Sequence, residues 1–170
     1  MILLIAGASH TGKTLLAQRL MERHSFPYLS IDHLKMGLIR SGMLPLSPSD
    51  DDALTAALWP ILREIVKTAV ENDQNLIIEG CYIPFDWRDS FDGEYLPHIR
   101  ALWLIMTRNY IETRFEDIRR HGSAIECRGE DAELDMDRLL RDNERNLAGC
   151  RQHGCPYLLI DGAYRVDWVF

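Results

Sequence analysis

Residues Gly7, Ala8, Ser9, His10, Thr11, Gly12, Lys13 and Thr14 read GASHTGKT and satisfy every fixed position of the pattern G-x-x-x-x-G-K-[ST]. Glycines let a backbone wrap tightly enough for successive N–H groups to converge on anionic oxygens. A helix beginning at the same place adds the positive end of its dipole. Lys13 then supplies a charge for β- and γ-phosphates, and the Thr14 hydroxyl a ligand for Mg²⁺. The alternative is a glycine turn with an exposed lysine. The flanks argue against it, because an apolar run (ILLIA) precedes the motif and an amphipathic helical pattern follows.

Other polar residues fall where short apolar runs end. Asp32 follows YLSI; a carboxylate there can take the proton of an attacking hydroxyl, or hold Mg²⁺ through water, or simply cap the helix HLKMGLIR. Glu79 ends NLIIE, where a second metal-directed carboxylate and acceptor contact is expected. Lys35 and Arg40 can grip an anionic acceptor or be solvated helix charges. Arginines crowd the later chain. Arg108 is expected to contact nucleotide, and Arg119, Arg120 and Arg128 flank or enter the polar stretch 121–133, which reads as a lid. Cations closing over a γ-phosphate are what phosphoryl transfer requires, so Arg119 and Arg120 are the catalytic candidates. Arg138, Arg141 and Arg145 form one helical stripe, with pairing to Asp137, Asp142 and Glu144 as the plainer explanation.

The elements that must position these groups alternate between short apolar runs and longer helical patterns. Strands are expected at 2–6, 28–31, 75–79, 101–106 and 157–160. Helices are expected at 13–24, 33–40, 52–72, 110–120 and 134–150. Leu54, Leu58, Ile61, Ile65 and Ala69 should form the buried stripe of the third helix, with Pro60 kinking it or opening a second helix. This order predicts an α/β fold: a three-layer P-loop fold with a five-stranded parallel sheet, helices on both faces and a short lid. The 170 residues fit a single domain.

A net charge of −7 argues against nucleic-acid or anionic-membrane partners. The apolar opening lacks a basic leader and runs into the motif, so it reads as a buried strand in a cytoplasmic protein, monomeric or homodimeric. The four cysteines, Cys81, Cys127, Cys150 and Cys155, form no C-x-x-C pair, and with His153 they match no zinc spacing.

On GASHTGKT and the order of its elements, the chain resembles the nucleoside-monophosphate-kinase-like group of small P-loop kinases. That group includes adenylate, shikimate and gluconate kinases, chloramphenicol phosphotransferase and zeta-toxin kinases. The resemblance implies ATP and Mg²⁺ as cofactors and an acid after the second strand, here Asp32, as base or acceptor ligand. The group's D-x-x-R stands here as DHLK, with Lys35 in place of arginine. Adenylate kinases carry Gly-Phe-Pro-Arg after the third strand; this chain has EGCYIP, and its next arginine is Arg88. KMGLIRSGMLPLSPSDDD is similar to the gluconate-kinase stretch in which Gly-x-Pro-Leu precedes acids. The implied activity is transfer of the γ-phosphate to a small acceptor, a hydroxylated metabolite before a nucleoside monophosphate. A zeta-toxin-like or regulatory NTPase is the other class.

Overall fold

Strand β1 (Ile2–Gly7) carries no polar side chain and is buried at all six positions, as a strand must be when helices cover both faces of its sheet. It lies between β3 (Leu76–Glu79) and β4 (Ile99–Met106), parallel to both. Outside these lie β2 (Tyr28–Ser30), beside β3, and β5 (Tyr157–Ile160), beside β4. The order is therefore β2-β3-β1-β4-β5, all parallel. The computed structural model describes residues 1–121 and 134–170. The lid expected at 121–133, with Arg128 and Cys127, falls outside them apart from His121.

Alternation along β1 sorts the core into two layers. Ile2, Leu4 and Ala6 join Leu54, Leu58, Leu62 and Val66 of helix α3 (Asp51–Glu71). Leu3 and Ile5 join Leu16, Ala17 and Leu20 of α1 (Lys13–His24) and Ile111 and Ile118 of α4 (Arg108–His121). Helix α5 (Met136–His153) serves both layers, giving Leu139 and Leu140 to the second and Cys150 to the first. Among the described residues no helix is long and apolar enough to cross a membrane.

Three local expectations are corrected. β2 stops at Ser30, and Ile31 opens α2 (Ile31–Arg40), so Asp32 stands in the first turn of a helix and not at a strand end. Ile31 is fully buried against Gly80, so close that a Cβ on Gly80 would lie 2.7 Å from its own Cβ. Helix α3 runs unbroken through Pro60, anchored where the Asp50 carboxylate accepts from the Ala53 N–H at 3.1 Å. Its buried stripe is Leu54, Leu58, Leu62, Val66 and Ala69, whereas Ile61 is exposed and Ile65 half-buried. Steps of four from Leu54 stay on the inward face; a step of three to Ile61 turns outward.

Gly149 of α5 makes room for Phe85, whose ring would meet a Cβ there at 2.4–2.6 Å. Phe85 also stacks on Trp103 and His153, with centroids 6.0 and 6.2 Å away. Gly149→Ala should therefore lower stability by about 1–3 kcal/mol through overpacking, despite alanine's better helix propensity. Phe85→Leu in the same chain should recover part of the loss. A thermal melt in which Gly149→Ala matches or exceeds the parent would contradict this packing.

Candidate functional site

The loop leaving β1 has the backbone an anion cradle needs. Gly7, His10 and Gly12 take φ of 133°, 63° and 83°; the His10 conformation is rare for a residue with a side chain, and such strain concentrates at functional sites. A Cβ on Gly7 would strike the Leu104 carbonyl oxygen at 2.3 Å, and one on Gly12 the Tyr164 hydroxyl at 1.7 Å. Gly12 caps α1 without a side-chain hydrogen bond, and no acid sits in the first turn. The first N–H groups of α1 thus face the loop with no carboxylate of their own. Lys13 is buried, and its Nζ donates to the Ala8 carbonyl at 2.7 Å; the Thr11 hydroxyl donates to the same oxygen at 2.9 Å.

Glu79 closes β3 beside this loop. Its Cα pairs with Ile5 on one side and Ser30 on the other, and it is only 3% exposed. Thr14, at the head of α1, is half-buried. Among the described residues no three His, Cys, Asp or Glu side chains gather as a metal-binding group. Cys150 and Cys155 lie in the apolar core, where burial pushes both thiols up, Cys150 to about 12.

In front of the loop opens a cleft of about 970 Å³, lined by Gly7, Ala8 and Ser9, by Asp32, Lys35 and Arg40 of α2, by Tyr82 and Phe85, and by Asp51, Arg138 and Arg145 among others. A continuous polar chain crosses its wall. Lys35 donates to Asp32 at 2.6 Å and to Tyr82 at 3.0 Å; the Tyr82 hydroxyl donates to Asp51 at 3.3 Å; Asp51 also accepts from Arg138 at 3.3 Å. Arg145 reaches Asp52 at 2.9 Å. Burial opposes the Lys35 charge, but its bonds to Asp32 and Tyr82 outweigh this and leave its pKa raised. Burial likewise pushes the Tyr82 phenol up to about 12.

The structure therefore brings Gly7–Ser9, Asp32, Lys35 and Arg40 into one cleft. Asp32 does not cap α2, whose N-cap is Ser30. Arg108 stands at the head of α4, paired with Glu112 and Glu144. Arg119 and Arg120 lie beyond a kink in that helix at Arg114, exposed and paired with Glu116 and Asp117; the cleft does not include them. Arg138 pairs with Asp51 and Asp142, Arg141 with Asp135, and Arg145 with Asp52, so two of these arginines bridge α5 to α3. Asp51, Tyr82 and Tyr164 went unnoticed in the sequence. The acidic run before α3 was a visible signal for Asp51; nothing local marks the two tyrosines.

No family model and no curated protein matches this chain. Solved structures do. A protein of Chloroflexus aurantiacus j-10-fl, named as a candidate kinase, is 19% identical over 96% of this chain and 88% of that one, with a TM-score of 0.59. A deoxyadenosine kinase of M. mycoides, solved with dCMP and dCDP, is 13% identical over 95% of this chain and 90% of its own, at a TM-score of 0.56. At such identities the likeness is one of fold, and the fold is the three-layer α/β sheet expected from the sequence.

The raised pKa values fix a pH dependence. The folded chain holds the Lys35 and Tyr82 protons more tightly than the unfolded chain does. The Tyr82 contribution is therefore full below its ordinary value of 10.0 and is lost as pH rises through about 12, and that of Lys35 is lost as pH rises through its own raised value. Tyr82→Phe should make the alkaline fall in stability shallower between those values. Urea midpoints measured across that range test it, and a slope equal to the parent's would rule out the Tyr82 contribution.

Proposed function

We propose that this chain is an ATP- and Mg²⁺-dependent phosphotransferase that moves the γ-phosphate to a hydroxyl of a small acceptor bound in the cleft. The observation carrying this reading is that the glycine loop opens directly onto a cleft whose wall holds Asp32, paired with Lys35 at 2.6 Å. The fold likeness to a deoxyadenosine kinase supports the same class of activity.

The residues have the following roles. Amides of Gly7 to Thr14 hold the phosphates, with Arg108 nearby at the head of α4. Thr14 and Glu79 would hold the divalent ion, which neutralises charge on the transferring group when bound. Lys13 exchanges the Ala8 carbonyl for a phosphate oxygen. Asp32 accepts the proton of the acceptor hydroxyl as its oxygen bonds to phosphorus and the bond to ADP breaks. Lys35 positions the Asp32 carboxylate, and Tyr82 in turn holds Lys35.

Among the described residues, three of the four lysine and arginine side chains lining the cleft, all but Arg40, favour a hydroxylated acceptor over a nucleoside monophosphate. Lys35, Arg138 and Arg145 are already engaged by Asp32, Asp51 and Asp52. A phosphate on the acceptor would have to displace those carboxylates, whereas a hydroxyl needs only a lone pair of Asp32.

Lys13→Ala should cut transfer on the order of 10²- to 10³-fold with the fold retained. Asp32→Asn should keep affinity for an unreactive Mg²⁺–ATP analogue and lose most transfer. Acceptors are found by thermal protection in the presence of that analogue, and transfer is then timed. Wild-type rates in Lys13→Ala would end the kinase reading. Wild-type rates in Asp32→Asn would point to an acceptor that is already anionic.

A further inference from the structure

A loop whose N–H groups converge inward must turn carbonyls outward, and each needs a partner. In this loop the Ala8 carbonyl is met by Thr11 and Lys13 from within. The Thr11 carbonyl is met from elsewhere in the chain: the Tyr164 hydroxyl donates to it at 3.2 Å. The same hydroxyl lies where a Cβ of residue 12 would be, so Gly12 and Tyr164 are shaped to each other.

Tyr164 is itself firmly held. Two residues on, Val166 is buried in the core layer of α1, and its carbonyl accepts from Arg19 at 3.3 Å. The Asp167 carboxylate takes both Arg23 nitrogens, at 2.9 and 3.3 Å. On the other side Asp161 accepts from Thr107 at 2.9 Å. The segment from Asp161 to Asp167 is thus tied to the residue after β4 and to the later turns of α1, and its Tyr164 meets the phosphate loop at Thr11 and Gly12. Burial pushes the Tyr164 phenol up to about 12, so it remains a donor throughout the working range.

We infer that Tyr164 is a positioning residue for the phosphate loop, fixing the Thr11–Gly12 turn from outside so that the loop amides stay aimed at the nucleotide. This rests on the nucleotide reading above and adds a residue to it that no motif contains. Tyr164 is not among the residues that line the cleft. Its loss acts through the loop, and it acts on nucleotide more than on acceptor.

The test compares Tyr164→Phe, which removes only the hydroxyl, with Tyr164→Ala, which also empties the space over Gly12. The readouts are the Kd of an unreactive Mg²⁺–ATP analogue by calorimetry, the ligand-free Tm, and KM for ATP and for acceptor. Tyr164→Phe should weaken nucleotide binding about 3- to 10-fold, the worth of one hydrogen bond. Its Tm should stay within about 2 °C of the parent and its acceptor KM should not change. Tyr164→Ala should weaken nucleotide at least as much; should it fail to fold, the Phe variant alone decides. Unchanged nucleotide affinity in Tyr164→Phe, with the parent binding normally, overturns the positioning role alone. Equal rises in both KM values overturn it too. A parent chain that binds no Mg²⁺–ATP analogue overturns the proposed function and this inference together.

Discussion

The close approach of Gly7 to the Leu104 carbonyl is the constraint from which the rest of the site follows. Gly7 and Leu104 are paired positions on β1 and β4, and the 2.3 Å left for a Cβ admits no side chain. The chain can therefore leave the central strand while still pressed against its neighbour, and turn at once into a loop short enough to reach α1 by Lys13. Were β1 to end a residue earlier or later, the alternation that sends Ile2 and Leu4 to one core layer and Leu3 and Ile5 to the other would no longer bring the loop to the same point. Packing of the sheet thus sets the origin from which Lys13, Thr14 and Glu79 are measured.

Polar contacts around the cleft contribute differently. The Arg138–Asp51 and Arg145–Asp52 pairs are largely exposed and stabilise little on their own. The Lys35 contacts are more protected, with the lysine side chain only 12% exposed, and there a lost partner would leave charge in a poorly solvated place. Apolar burial holds α2, α3 and α5 to the sheet. The Asp32–Lys35–Tyr82–Asp51–Arg138 chain fixes how those helices present their polar faces to one another.

Much of this was legible before any coordinates. The phosphate loop is written in consecutive residues whose types each have one backbone reason to be there, and β1 is an unbroken apolar run that only a covered strand tolerates. Boundaries were less legible where tertiary contact overrides local pattern. Ile31 has a strand former's side chain, yet the space beside Gly80 draws it into a helix; Ile61 fits an apolar period, yet the inward ridge runs through Leu62. The cleft's ion pairs join residues such as Asp51 and Arg138 that no periodicity relates. Tyr164 is least legible of all, because its meaning comes from a glycine far from it in sequence.

The strand order β2-β3-β1-β4-β5 also bears on how the chain is made. β1, the most completely apolar strand, is synthesised before both of its ladder partners, Leu76–Glu79 and Ile99–Met106. Neither exists until the chain has reached Leu76, and the second is complete only at Met106. Until Glu79 is made ILLIAG has no ladder partner on either edge, and until β4 is made it lacks one, in a segment with the composition of an aggregation-prone strand. A central, buried anchor for the phosphate loop is thus a strand whose edges wait, during synthesis, for partners encoded later in the chain.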